Sequence, residues 1–221
     1  QNIYICNIIM DLVYEEIKSD LKINQVVFML HGYGADAKDF LSLANYWHRF
    51  LPNTLFVAPN APKKCQINSA GYEWFDLMQT DKNKTTNELI ESVDKLKILT
   101  DKILKKYNLN HKDVIYVGFS QGTMLAIHTA LNSVEIVKGV LGYSGKIYDH
   151  QLLQNSINSK VKIFMIHGSK DEVIPLEQMY ESFDFLKKLD FEIKYKILEN
   201  CGHSISAEGT SEGLNFIRKL V

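Results

Sequence analysis

Five short runs of almost entirely apolar residues recur along the chain, and they restrict its fold more than any other feature of the sequence. A strand with one face in water alternates apolar and polar residues, whereas a continuous apolar run of this length is typical of a strand covered on both faces. The five runs span residues 26–30, 54–58, 114–118, 137–142 and 163–166. A sixth run, residues 192–198 (EIKYKIL), alternates, and we predict that it forms a strand nearer the sheet edge.

Stretches with helical periodicity separate these runs. Thr85 and Glu88 have the spacing of a capping box, which predicts that a long helix starts at Thr85. Apolar residues three or four positions apart predict two further helices, over residues 179–189 and 214–220. Because strands that alternate with helices form a mostly parallel sheet with helices on both faces, we predict an α/β fold.

The sequence contains no sign of a boundary between domains. Since no Gly/Ser-rich linker, repeat or composition shift divides the chain, we predict a single domain over residues 1–221. Residues 1–25 form an N-terminal segment whose role the sequence leaves open. Residues 60–84 lack periodicity, and a loop of that length inside a compact domain is usually functional or disordered.

Charge and cysteine content exclude several classes of partner. The 25 Lys and Arg residues balance 26 Asp and Glu residues, which argues against a nucleic-acid-binding protein. No apolar run approaches the 18 or so residues of a membrane span, so we expect no stable membrane insertion. Cys6, Cys65 and Cys201 are widely spaced without a CxxC pair, which favours a reducing compartment, and we predict a cytoplasmic protein. These features leave a monomer and a homodimer open.

The strongest chemical motif is GFSQG at residues 118–122, which matches G-x-S-x-G. An apolar strand precedes it and a helical segment follows, which is the context that a nucleophile elbow requires. The glycines leave room for a sharp turn that lifts the hydroxyl of Ser120 above the sheet. A similar segment, GYSG, contains Ser144, but Lys146 occupies the position of the last glycine, so we interpret Ser144 as a turn residue.

A serine nucleophile needs a base and an acid that orients the base. We predict that His203 is the base, because it lies in a turn after the last strand, where a mobile catalytic loop belongs. Asp171 follows the strand that ends near residue 166 and is the predicted acid, with Glu172 as its main competitor. The other downstream histidines are interpreted as structural or exposed; they are His128, His150 and His167.

Two further groups of residues complete the predicted site. The backbone N–H groups of Tyr33, after the strand 26–30, and of Gln121, after the nucleophile, are the expected oxyanion donors. Four apolar residues of the loop 60–84 are candidates for an acyl pocket, although packing would explain them equally well. They are Trp74, Phe75, Leu77 and Met78.

Five motifs in this order resemble the carboxylesterase/acyl-protein thioesterase family of α/β-hydrolases, also called phospholipase/carboxylesterase. They are HGYG (31–34), WFDL (74–77), GFSQG (118–122), HGSKDEVIP (167–175) and CGHSIS (201–206). The resemblance covers about residue 25 to the end, and it implies the α/β-hydrolase fold with Ser120, Asp171 and His203 as triad. It also implies an acyl-binding groove shaped partly by the loop of Trp74.

The chain departs from this family pattern at two points. Thr123 follows GFSQG where a second glycine is usual, and Gly142-Tyr143-Ser144-Gly145 replaces a more common LSG. Neither change touches the triad. The resemblance implies hydrolysis of carboxylic esters or thioesters, or of acylated molecules, through an acyl-enzyme intermediate and without a cofactor or metal ion.

Three rival functions can be weighed against this one. A non-catalytic α/β-hydrolase-like binding protein is the main alternative, because a fold alone does not prove activity. A dinucleotide-binding oxidoreductase would use Gly32–Ala37 (G-x-G-x-x-A), but the next strand ends in Ala58-Pro59-Asn60 without the acidic residue that holds the ribose. A metal hydrolase would need His31, His167 and Asp171 as ligands from separate loops.

Overall fold

The computed structural model describes residues 11–220. Within this range the strands are β1 (Tyr14–Ile17), β2 (Gln25–Leu30), β3 (Thr54–Pro59), β4 (Lys63–Lys64), β5 (Tyr72–Glu73), β6 (Val114–Phe119), β7 (Gly139–Tyr143), β8 (Ile163–Gly168) and β9 (Ile193–Leu198). The helices are α1 (Ala37–Leu41), α2 (Ala44–Trp47), α3 (Lys82–Tyr107), α4 (Gln121–Asn132), α5 (His150–Ser156), α6 (Leu176–Lys188) and α7 (Ala207–Leu220). Two short 3₁₀ turns lie at His48–Phe50 and His111–Asp113.

Seven of the described strands form one sheet in the order β1-β3-β2-β6-β7-β8-β9. Every neighbouring pair is parallel except β1 and β3, which are antiparallel. All five apolar runs are strands of this sheet, and the alternating run lies at its edge as β9. The predicted mostly parallel sheet is therefore confirmed.

The helices cover both faces of the sheet, as predicted. Alternate side chains of β2 enter two separate cores: Val26, Phe28 and Leu30 pack with apolar residues of α3, α4, α5 and α6. Val27 and Met29 instead pack with residues of α1, α2 and α7. A strand whose two faces are both dry is apolar along its length, which is why Gln25 of β2 is followed by five apolar residues, VVFML.

The predicted start of the long helix was wrong. Helix α3 begins at Lys82, and Asp81 caps it by accepting a hydrogen bond from the amide of Asn83 at 3.0 Å. Thr85 instead donates its hydroxyl to the carbonyl of Asp76, and Glu88 accepts the amide of Asp76 at 2.8 Å. The capping-box residues therefore bind the preceding loop rather than their own helix.

Three short strands were not predicted from the sequence. Strand β1 lies in the segment to which no role could be assigned, and residues 1–10 of that segment lie outside the described range. Strands β4 and β5 pair as a hairpin inside the loop 60–84. Among residues 11–220 no helix is both long and apolar enough to cross a lipid bilayer.

Candidate active site

Ser120 occupies the turn between β6 and α4 with φ 54° and ψ −114°, a sparsely populated conformation for a residue other than glycine. The neighbouring glycines permit this turn. A Cβ atom at Gly122 would collide with the carbonyl oxygen of Leu30 and lie 2.7 Å from that of His31. A Cβ atom at Gly118 would collide with the backbone of Gly122. The first turn of α4 therefore packs directly on the end of β2, and Ser120 is buried, with 7% of its surface exposed.

Asp171 lies in the loop after β8 with a fully buried side chain. Its Oδ1 atom accepts hydrogen bonds from the amides of Val173 (3.0 Å) and Ile174 (2.9 Å). The ring of His167 braces the same loop, because Nε2 donates to the carbonyl of Ile174 at 2.8 Å. Glu172, the competing carboxylate, is exposed to solvent.

His203 follows β9 and contacts the carboxylate of Asp171 directly. Its Nδ1 atom lies 2.8 Å from Oδ2 and 3.0 Å from Oδ1. Burial alone would raise the pKa of Asp171, but the amide of Ile174 and the imidazole of His203 outweigh burial and lower that pKa. With Nδ1 donating to an ionised carboxylate, Nε2 of His203 is left as the basic nitrogen.

The loops that carry Asp171 and His203 are tied to each other. The amide of Lys170 donates to the carbonyl of Cys201 at 2.9 Å, and the amide of Asn200 donates to Oγ of Ser169 at 2.9 Å. A Cβ atom at Gly168 would collide with the carbonyl of Cys201. Sequence reasoning missed these supporting residues, although a glycine that ends a strand is a signal of close backbone approach.

Ser120 and His203 are neighbours without a direct bond. The imidazole packs on the ring of Phe119, the residue before Ser120, with ring centroids 4.9 Å apart. No hydrogen bond between Ser120 Oγ and His203 Nε2 occurs within the described part of the chain. Such contacts are often long in ligand-free enzymes and tighten when substrate binds. The structure thus brings the predicted acid and base into contact and places His203 beside the turn of Ser120.

The two predicted oxyanion donors have free amides. Neither the N–H of Tyr33 nor that of Gln121 donates to another backbone group in the range 11–220. The loop of Tyr33 passes close to the nucleophile, since a Cβ atom at Gly32 would lie 3.4 Å from Cβ of Ser120. Strand β5 holds this loop, because Gly34 donates its amide to the carbonyl of Tyr72 at 2.9 Å.

The four candidate pocket residues divide into two pairs. Trp74 and Phe75 are fully buried, whereas Leu77 and Met78 are 39% and 65% exposed. The indole of Trp74 donates to the carbonyl of His31 at 3.0 Å. Trp74 therefore packs against the segment that precedes Tyr33, Phe75 is buried as well, and of the four residues only Leu77 and Met78 are accessible to a ligand.

Gln121 joins this aromatic pair to the nucleophile turn through its side chain. Its Oε1 atom accepts the amide of Trp74 at 2.9 Å, and its Nε2 atom donates to the carbonyl of Phe75 at 2.6 Å. The residue predicted to donate its backbone N–H to an oxyanion is thus also held in place by its amide group. Sequence reasoning did not anticipate this second contact.

The remaining histidines are structural in their contacts. His31 is fully buried, with Nδ1 2.7 Å from the carbonyl of Gly32 and Nε2 accepting the amide of Ala61 at 3.0 Å. Burial lowers the pKa of His31 and of His128 to about 4. His150 is the first residue of α5. Across residues 11–220 no three or more His, Cys, Asp and Glu side chains are grouped so that they could hold a metal ion.

The fold has close counterparts among solved structures. The crystal structure of esterase PE8 superposes with a TM-score of 0.90 at 31% identity, covering 96% of this chain and 100% of that chain. SOBER1 of Arabidopsis thaliana superposes with a TM-score of 0.78 at 21% identity, covering 89% of this chain and 99% of that chain, which shows a shared fold. The molecule is an α/β-hydrolase.

Sequence relatives narrow the class to a family. Acyl-protein thioesterase 1 of Gibberella zeae is 26% identical over 214 residues, covering 87% of this chain and 89% of that protein. Acyl-protein thioesterase 1 of Saccharomyces cerevisiae is also 26% identical, covering 88% of this chain and 92% of that protein. A phospholipase/carboxylesterase family model matches residues 14–221, so the chain belongs to this family. It is a serine hydrolase of the ester- and thioester-cleaving kind.

Proposed function

We propose that Ser120, His203 and Asp171 are the catalytic triad of this hydrolase, with the amides of Tyr33 and Gln121 as oxyanion donors. The observation that carries the proposal is the Asp171–His203 contact of 2.8 Å at the same sheet edge as the strained turn of Ser120. Three segments from different parts of the chain meet there, which a packing role alone does not require.

In the proposed reaction His203 Nε2 takes the proton of Ser120 Oγ, and this oxygen attacks the acyl carbonyl of the ester or thioester. The two amides stabilise the negative charge that develops on the carbonyl oxygen. His203 then protonates the leaving alcohol or thiol, and the acyl group remains on Ser120. Water attacks the acyl-enzyme with His203 again as base, and the free acid leaves. Asp171 stabilises the imidazolium and stays ionised.

The substrate class proposed is an acyl ester or thioester, either small or carried on a larger molecule. Two similarities support this class: the sequence relatives are named acyl-protein thioesterase 1, and the fold is similar to that of esterase PE8. We also propose a cytoplasmic location, which is supported by the free thiols of Cys65 and Cys201; Cys6 lies outside the described residues.

Active-site labelling tests the nucleophile. A fluorophosphonate probe followed by peptide mass spectrometry should modify Ser120, and Ser120→Ala should abolish labelling and lower turnover of p-nitrophenyl acetate by at least about 10⁴-fold. Ser144→Ala is the matched control, because Ser144 is buried in a similar turn at the end of the next strand. Labelling at any other residue, or turnover retained by Ser120→Ala, contradicts the proposal.

A second pair of variants tests the acid. Asp171→Asn should lower kcat by roughly 10⁴-fold, because a neutral amide no longer selects the tautomer of His203 with a free Nε2. Glu172→Gln removes the neighbouring exposed carboxylate and should keep nearly full activity. If the two variants had the same activity, Asp171 would not be the acid.

A further inference from the structure

A groove of about 920 Å³ begins at the proposed base and runs between two helical walls. Phe119 and His203 line one end of it. One wall is built from α1, α2 and the 3₁₀ turn that follows, and the other wall is helix α7. The indole of Trp47 joins the walls by donating to the carbonyl of Thr210 at 3.1 Å.

One face of α7 lines this groove from end to end. The lining residues recur at helical spacing: Ala207, Thr210, Ser211, Leu214, Asn215 and Arg218. With a rise of 1.5 Å per residue, this face extends about 16 Å along α7, from Ala207 to Arg218. The opposite wall contributes apolar side chains, including Phe40 and Leu43. The middle of the groove therefore suits a hydrocarbon arm.

Each wall carries one arginine, near the C-terminal end of its stretch of lining residues. Along α7 the lining begins near His203 and finishes at Arg218, and along the other wall it begins at Phe40, beside Phe119, and finishes with Arg49 and Phe50. The sequence contains two arginines, Arg49 and Arg218. Both therefore line the same groove.

The two guanidinium groups are available to a ligand. Both are exposed, and within residues 11–220 neither forms an ion pair. Arg49 lies over the ring of Phe50, 4.8 Å from its centroid, which restrains the fork of its side chain. Asp39 also lines the groove, so two cations face one carboxylate and the balance favours an anion. Arginine binds carboxylate and phosphate groups with two hydrogen bonds.

We propose that this groove selects esters and thioesters with an apolar arm that ends in an anionic group, held by Arg49 and Arg218. The inference rests on the proposed function, because it uses His203 as the point where the scissile bond lies. It adds a specificity site in the groove, separate from the groups that carry out the chemistry. The anion is a carboxylate or a phosphate, and it belongs either to the acyl chain or to the leaving alcohol.

Matched substrate pairs test the groove. On the acyl side, p-nitrophenyl dodecanoate is compared with mono-p-nitrophenyl dodecanedioate. On the alcohol side, dodecyl acetate is compared with ω-acetoxydodecanoate. In at least one pair the anionic member should have a kcat/KM about tenfold higher, as expected for a hydrogen-bonded charge contact. The short pair, p-nitrophenyl butanoate and mono-p-nitrophenyl succinate, should lack this preference because succinate cannot reach the arginines.

Variants then assign the preference to the arginines. The double variant R49Q/R218Q should lower the anionic-to-neutral ratio of kcat/KM about tenfold, and added salt should lower the ratio of the unmodified protein. Lys219→Gln is the control: it removes a positive charge beside Arg218 from a residue that lines a different cavity, and it should keep the ratio. If the enzyme is active but the anionic-to-neutral ratio of kcat/KM is the same in all variants, the proposed specificity site is wrong and the proposed function still stands. Absence of Ser120-dependent turnover overturns the proposed function and this inference with it.

Discussion

At the scale of single residues, two backbone contacts hold the turn of Ser120 in place. Ser120 adopts a positive φ of 54°, and its amide donates to the carbonyl of Tyr143 at 2.9 Å. That bond ties the turn to β7, while Gly122 lets α4 rest on the end of β2. The strained conformation of Ser120 is therefore maintained by backbone contacts with β2 and β7, the two strands that flank β6.

We expect Gly122→Ala to lower the free energy of unfolding by more than about 3 kcal/mol, because the new methyl group meets the carbonyl oxygens of Leu30 and His31 and neither can move without breaking β2. Gly202→Ala is a control in a catalytic loop: its nearest neighbour would be the carbonyl of Lys170 at 3.6 Å. Urea unfolding should show a large loss for Gly122→Ala and a small one for Gly202→Ala. Equal losses would contradict this explanation.

A buried histidine makes the molecule sensitive to acid. Burial lowers the pKa of His128 to about 4, whereas an unfolded chain has a histidine pKa near 6.5. Between these values the unfolded state binds the additional proton, so stability falls as the pH falls. We expect a loss of about 2 kcal/mol from pH 7 to pH 5 for this residue.

His128→Leu should remove that part of the pH dependence, since leucine cannot bind a proton and Nε2 of His128 has no hydrogen-bond partner in the described residues. Urea unfolding at pH 7 and pH 5 measures the change. His31 keeps its own contribution, so some pH dependence should remain. The control His48→Leu alters an exposed ring and should leave the pH dependence as it was. If His128→Leu lost as much unfolding free energy between pH 7 and pH 5 as the unmodified protein, His128 would bind its proton in the folded state as well.

Single residues of the site could be predicted where they follow strands. Ser120, Asp171 and His203 each come directly after an apolar or alternating run, and parallel strands bring their carboxyl ends to one edge. The fully buried position of Trp74 could not be predicted in the same way. An aromatic residue in a long loop has the same local sequence whether it lines a pocket or packs, and only the contacts with His31 and Gln121 distinguish the two.

At the scale of elements, the packing of α4 on β7 shows what Thr123 does at one of the two departures from the family pattern. Thr123 stands where a glycine is usual, and its methyl group fills the space in which a Cβ atom of Gly142 or Gly145 would lie. Its hydroxyl donates to the carbonyl of Tyr143 at 2.9 Å. Thr123 and the two glycines therefore compensate in size, because the glycines leave the space that the Thr123 side chain occupies.

A double-mutant cycle tests this compensation. Gly142→Ala should destabilise the fold by about 1–3 kcal/mol, because its methyl group would meet the methyl group of Thr123. Thr123→Gly also destabilises, through a lost hydrogen bond and a glycine in a helix. Combined, the two changes should cost less than their sum by at least about 0.5 kcal/mol. Additive losses would show that the two positions do not share the space.

Long strands and helices could be predicted from the sequence, whereas very short ones could not. The strands of the sheet core and the long helices have enough periodic residues to be recognised, whereas β4 and β5 have two residues each and depend on pairing between distant positions. The start of α3 was misplaced because Thr85 and Glu88 have the right spacing for a cap but bind Asp76. Tertiary contacts there override a local signal.

At the scale of the whole molecule, the open sheet has two edges, and they are protected differently. Strand β1 covers one side of β3 in antiparallel pairing. Strand β9 ends the sheet on the other side and carries Lys194 and Lys196 in its sequence IKYKIL. Lysines on an edge strand oppose pairing with another chain, because pairing would bring like charges together and bury them.

We expect Lys194→Val with Lys196→Val to convert β9 into an edge that pairs with other copies of the chain. The double variant should scatter light at concentrations at which the unmodified protein remains clear, because an apolar, uncharged edge strand is a template for association. Lys187→Val with Lys188→Val removes the same two charges from the end of α6, away from a strand edge, and is the matched control. If both double variants aggregated equally, net charge would explain the effect; association confined to the β9 variant identifies the lysines as protection of the edge.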